Sequence, residues 1–450
     1  MRGPAAQRLV PDTLKITCPL MAIQEDGRYV ALSWDMQPRI AALFDSPDRT
    51  FNAGGHALAL LFPGSDGLNR DDGQLLPHDG VPLPAGRPVT LRATLLGGLA
   101  QSVVPAMEKY VQLRGLPPLP ETMPLGDYVR LAAGGWLDSA AREGNRYRHA
   151  VWQGFGAQPA ADAAFYMDWL AQRTPEAALA TRLTEAAGDA RAQVAPEVYY
   201  SSAISHVRYP VVPLLYGHVE DNVRHAAQIA RNLLTRFEPD GRVLYRKSPD
   251  RPDYGATHFA PDANGLTAQV VMSLLDAAAF CGDKTSIAKG VERLRALDAF
   301  GNTVPRGAQT WECALHTPDV LASAYLVRAY TLGYELTGDP ALLAQARYWA
   351  WTGLPFIYLR DPAGQETGRY LTPPVYGATS WVAPVWMGLP VQWCGLVYAD
   401  ALYRLVRHDP KGVWKQLADG ITLGGVQVTW PLSDKERQGL LPDVFHLRDL

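Results

Sequence analysis

A glutamate beside a tryptophan in a polar loop, Trp311-Glu312, is the pair in this sequence best suited to acid catalysis. A carboxyl against an aromatic face is partly desolvated, which raises its pKa and keeps it protonated for donation to a leaving oxygen. Glu312 lies too far ahead of the next helical run to be its N-cap; the competing use is an ion pair with Arg306 in the same loop. Asp262, in the segment PDANG with Asn264 and Gly265, is the natural second carboxylate. Asp162, Asp319 and Asp443 stand in comparable positions, so capping of a first helical turn explains the whole set without chemistry. If Glu312 and Asp262 act together, the first protonates a glycosidic oxygen while the second activates water on the opposite face of the sugar. A separation of roughly 6.5–9.5 Å suits inversion and about 5–5.5 Å suits retention.

A second constellation supports a different reaction. His206, Arg208 and Tyr209 share one loop, Tyr254 and His258 the next, and His316 follows Glu312. An arginine or histidine that neutralises a uronic carboxylate, with a tyrosine or histidine that removes the C5 proton, would perform β-elimination. Trp311, Tyr370, Tyr376 and Trp381 offer flat apolar faces to sugar rings, while Arg208, Asn264 and Arg306 offer polar contacts. Trp386 is a further candidate, equally suited to packing within its helix. Cys18, Cys281, Cys313 and Cys394 lie far apart without metal-ligand spacing, so they read as buried or free thiols and no metal or cofactor is expected.

Four polar, aromatic loops carry these residues: 199–210 (YYSSAISHVRYP), 247–262 (KSPDRPDYGATHFAPD), 304–319 (VPRGAQTWECALHTPD) and 369–381 (RYLTPPVYGATSW). Behind them, from residue 127 onward, the apolar period is that of helices, over 127–142, 162–173, 176–193, 215–237, 263–281, 284–300, 320–337, 340–351, 382–407 and 411–421. Loop and helix recur as a repeat with helix starts near 162, 213, 262, 319, 381 and 443. Runs after the long loops are rich in small residues, as in ANGLTAQVVMSLLDAAAFCG, while their partners carry charge, as in KTSIAKGVERLRALDAF. An inner ring of buried helices inside an outer amphipathic ring is an α/α toroid.

Up to residue 115 the pattern has period two instead, over 29–34, 56–62 and 88–96, with Gly, Pro, Asp and Asn between the runs, as expected of a β-sandwich. Residues 116–126 stack prolines and read as a linker, so the expected organisation is 1–115, 116–126 and 127–450, the last hairpin being incomplete. In domain order, repeat and aromatic loops the chain resembles the six-hairpin, (α/α)6 glycosidase-like superfamily, some members of which place a β-sandwich before the toroid. The DAGD-type motif of one cellulase family is absent. The resemblance implies an enzyme acting on carbohydrate.

Composition narrows the partners. Of 450 residues 47% are hydrophobic and 19% charged, which is globular usage with ample surface for a large core. A formal charge of −3 without blocks of like charge gives no basic face for nucleic acid. No apolar run is long enough for a membrane span, and the first residues lack the apolar stretch of a signal peptide. A cytoplasmic protein, or a mature or truncated exported form, is therefore expected. An abundance of Pro (36), Trp (12) and Tyr (20) suits long ordered loops with aromatic surfaces, and the expected partner is an oligo- or polysaccharide. The leading reading is a glycoside hydrolase. The alternatives are a polysaccharide lyase on the same architecture and a carbohydrate-binding protein without catalysis; no DDxxD segment supports a terpene cyclase.

Overall fold

The computed structural model describes residues 9–11, 13–37, 39–45, 55–64, 75–77, 81–152, 154–250, 252–255, 261–301, 303–362, 367–375 and 389–447. The N-terminal region is strand-rich, as its alternation requires. β1 (Leu9–Pro11), β2 (Leu20–Glu25), β3 (Arg28–Trp34), β4 (Ala41–Asp45), β5 (Ala57–Leu61), β6 (Leu75–Pro77) and β7 (Ala93–Leu99) are its described strands. They group as a three-stranded antiparallel sheet in the order β2-β3-β7 and two ladders, β1 with β6 and β4 with β5. Period two is visible in β3, where Tyr29 and Ala31 face inward against Leu96 and Ala106 while Arg28 and Val30 face solvent.

Helix α1 (Val104–Arg114) was not foreseen in this region. Its run VPAMEKYVQLR lacks strand alternation, begins with a proline in the first turn and stops at Gly115 with φ of 71°. Tyr110 and Val111 of α1, with Cys18, enter the same core as α9 (Val320–Thr337) and α10 (Pro340–Gly353). Thr17 also donates to the Pro355 carbonyl at 2.6 Å, so the N-terminal region is built onto the helical one.

The described residues hold twelve α-helices in all. After α2 (Leu125–Asp138) come a short hairpin of β8 (Arg142–Glu143) and β9 (Arg146–Tyr147), then α3 (Ala161–Ala171), α4 (Ala177–Ala192), α5 (Val212–Tyr216) and α6 (Val219–Leu234). α7 (Asn264–Cys281), α8 (Lys284–Ala296), α11 (Gln392–Val406) and α12 (Trp414–Gln427) complete the set with α9 and α10. The expected run 215–237 is broken at Gly217 and His218, both at positive φ, which separates α5 from α6. Of the expected run 382–407, residues 382–388 lie outside the described residues, 389–391 are not helical, and α11 begins at Gln392.

α7, α9 and α11 pack side by side and are apolar nearly all round, whereas α8 buries only Ser286, Gly290 and Leu294. The helices thus alternate between a buried inner row and outer partners. Each fully buried leucine of the inner row, such as Leu326 or Leu402, contributes roughly 1.5–3 kcal/mol over its exposed state. The α8–α9 crossing depends on Gly333, where an added methyl would overlap Leu294. α7 is long and apolar enough to cross a membrane by composition alone, yet it is the core helix between α6, α8 and α9.

A few inner-row residues are only partly buried: Gln269 and Asp276 on α7, Tyr325 and Arg328 on α9, Trp393 and Asp400 on α11. None of the four cysteines forms a disulfide; Cys18, Cys313 and Cys394 are buried and Cys281 is partly exposed.

Candidate active site

The loop ahead of α9 is held rigidly. Asp319 caps α9 by accepting from the Ala322 N–H at 2.7 Å, and its other oxygen accepts from the Ala308 N–H at 2.9 Å. One carboxylate thus fixes both the helix start and the loop that leads to it. Asp319 is 1% exposed, and burial pushes its pKa up to about 7 against the hydrogen bonds it accepts. Asn264, at the head of α7, clamps the same loop, donating to the Val304 carbonyl at 2.8 Å and accepting from the Arg306 N–H at 2.9 Å. Gly265 beside it has no room for a side chain, because Ala322 and the Arg306 carbonyl lie against it. Trp311 and Glu312, both half-buried, sit in the turn between these clamps, where the Glu312 N–H donates to Gln309 at 3.1 Å.

Rings from other loops converge on that turn. The indoles of Trp311 and Trp393 lie 6.4 Å apart with nearly parallel planes, and the His206 ring stacks on Trp393 at 3.7 Å and 12°. His149 meets His206 edge-on at 4.4 Å. Desolvation, aided by His149 and Arg208, pushes the His206 pKa down to about 3, so its imidazole is neutral through the physiological range. Asp443 interacts with the Trp393 side chain, and partial desolvation raises its pKa. Burial, and after it the charges of Asp319, Glu312 and Asp443, raise the pKa of the Cys394 thiol.

Ion pairs join the inner helices. Arg328 of α9 reaches Asp276 of α7 at 3.2 Å and Asp400 of α11 at 2.6 Å, tying three inner helices together. Asp276 and Glu335 also pair with Arg404, and Glu335 with His408 at 2.9 Å. The Tyr209 hydroxyl donates to Asp400 at 3.1 Å, and burial together with that carboxylate pushes its pKa up to about 12. Loop 199–211 thereby crosses to α11, filling space beside the short α5.

The remaining expected residues fall elsewhere. Asp262 is buried with its carboxylate ion-paired to Arg242, beside a shallow hollow lined by Asp240, Ala299 and Phe300. Arg306 spends its guanidinium on the backbone carbonyls of Asp262 at 2.9 Å and Leu315 at 3.3 Å. Tyr254 and His316 are buried in the loop packing, and Tyr370 is 0% exposed with its hydroxyl donating to the Pro117 carbonyl at 2.6 Å. His258, Tyr376, Trp381 and Trp386 lie outside the described residues. Arg208 is exposed on the loop ahead of α5, and its charge acts on Tyr325. Among the described residues no group of His, Cys, Asp and Glu side chains has the arrangement of a metal site.

Sequence reasoning missed Trp393, His149 and the use of Asp443. An aromatic in the first turn of an inner helix was the available signal for Trp393. His149 sits in a hairpin insertion before α3 that the helical period does not mark. Asp443 was read with the capping set, yet that set clamps loops as much as helices: Asp162 accepts from the Ser205 N–H at 3.0 Å and from Ile204 at 3.2 Å.

No protein-family model matches the chain, and no curated protein matches it in sequence. Solved structures similar to it include an unsaturated glucuronyl hydrolase from Bacillus sp. GL1, described as responsible for the degradation of glycosaminoglycan. That likeness has 12% identity and a TM-score of 0.43, covering 72% of this chain and 92% of that one. An unsaturated glucuronyl hydrolase specific for heparin is similar at 13% identity and a TM-score of 0.37, over 66% of this chain and 82% of that one.

Proposed function

We propose that this chain is a carbohydrate-active glycoside hydrolase, a six-hairpin α/α toroid preceded by a β-sandwich, with Glu312 as its proton donor. What supports the reading is the Trp311–Trp393 aromatic pair, with Glu312 next to Trp311 in sequence and Asp443 interacting with Trp393. A sugar bound beside those indoles would meet both carboxyls. Glu312 gives its proton to the glycosidic oxygen as the bond to the anomeric carbon breaks. Asp443, ionised, takes a proton from the water that adds to that carbon. Asp443 suits this part better than Asp262, whose carboxylate is committed to Arg242. A base with a raised pKa, interacting with the Trp393 side chain, is also the stronger proton acceptor.

β-Elimination is the weaker reading. Tyr209 is tied to Asp400 with its pKa pushed up to about 12, and His206 is held down to about 3, so neither is tuned to abstract a proton near neutrality. The domain boundaries 1–115, 116–126 and 127–450 are part of the proposal. The hydroxyl of Tyr370 on Pro117 and the Gln427 amide on the Glu121 carbonyl at 2.8 Å support a linker laid along the helices. The test is incubation with neutral and uronic-acid polysaccharides, following new reducing ends together with the ultraviolet absorbance of unsaturated uronides. Reducing ends without absorbance support hydrolysis; rising absorbance would replace it with elimination.

A further inference from the structure

The aromatic series does not stop at His206. His149 is met by the ring of Phe155 at 5.6 Å, and Phe155 belongs to the turn that also carries Trp152, its N–H donating to the Trp152 carbonyl at 3.2 Å. Trp152 is 74% and Phe155 45% exposed, which is unusual for rings of this size. The turn is nonetheless firmly built. Its base closes through Tyr147 and Gln158, which exchange backbone hydrogen bonds of 3.0 and 2.9 Å. Arg148 braces it from within, donating to the Phe155 carbonyl at 2.7 Å while pairing with Glu143. Gly154 takes the positive φ of 96° that reverses the chain.

We propose that this turn is an outer sugar-binding platform, so that the cleft takes chains of several pyranose rings, the far rings lying on Phe155 and Trp152. The reading rests on the hydrolase assignment only for what happens at the inner end. Rings from Phe155 through His149, His206 and Trp393 form a series that ends at Trp311, the neighbour of Glu312 in sequence. Flat apolar rings edged by polar groups match the faces of pyranoses. The exposed patch of Val151, Trp152 and Phe155 is far smaller than the roughly 800 Å² per partner of a stable protein interface, which favours a glycan over a protein as its occupant.

The experiment is isothermal titration of Glu312→Gln protein, which leaves the glycan uncut, with cello-oligosaccharides and hyaluronan oligosaccharides from disaccharide to hexasaccharide. In one of the ladders the hexasaccharide is expected to bind at least roughly tenfold more tightly than the disaccharide. Trp152→Ala combined with Phe155→Ala should erase that gain, while Trp169→Ala, another exposed aromatic outside the series, should keep it. Equal affinity at both lengths, full gain in the double variant, or no binding from either ladder would each overturn the platform. Length-dependent binding to unmutated protein that never cuts the chain would support the platform and remove the hydrolase reading, so the two failures are told apart.

Discussion

The Asp319 carboxylate receives the backbone N–H of Ala308 at 2.9 Å, and through that bond the start of α9 and the turn bearing Glu312 become one rigid piece. Asp319→Ala should remove the helix cap and leave the Ala308 N–H buried and unpaired, a loss of about 2–4 kcal/mol. Urea unfolding would measure it, and turnover should fall with it because the loop loses its clamp.

The same residue predicts a pH dependence. Its pKa is raised from 3.8 to about 7 in the fold, so between those values the folded state binds more protons than the unfolded. Stability from this group is therefore highest below pH ~4 and declines as pH rises through ~7. Denaturation midpoints across that window should show the decline, and Asp319→Asn should abolish this component.

Glu312→Gln should lower turnover by roughly 10²–10⁴-fold without moving the melting temperature, since the loop is held by backbone bonds and by Asp319. Near-normal turnover would remove Glu312 from the chemistry.

His206→Phe should preserve glycan affinity, because a neutral ring stacked on Trp393 is what the site uses. With a pKa lowered to about 3, His206 contributes stability that is present above its unfolded pKa of 6.5 and lost as pH falls toward 3. Acid titration followed by tryptophan fluorescence should show a smaller loss in the Phe variant.

Arg328→Met should destabilise the protein by about 3–5 kcal/mol, since Asp276 and Asp400 would face each other without their shared cation. Pairing it with Asp400→Asn should recover part of that loss in denaturant unfolding.

Much of the helical framework was legible in the sequence, because buried inner helices must be apolar all round and outer ones amphipathic. The runs over 263–281 and 320–337 agree with α7 and α9 for that reason. The break at Gly217 and His218 was hidden, since apolar residues continue across it and only positive φ values separate the helices. Glu312 stood out by its neighbour Trp311, which is a local signal. Asp443 and Trp393 meet only through the fold, and the preference for Asp262 had no means of foreseeing that Arg242 would occupy it.

The thiols give the molecule a practical property. Cys313 and Cys394 are buried, and burial pushes Cys18 up to about 11, so none of the three supplies thiolate to an oxidant or an alkylating reagent at neutral pH. Cys281, at the last turn of α7, is the half-open one. A maleimide dye should therefore attach there selectively, giving a fluorescent reporter at the far end of an inner helix without a single engineered substitution.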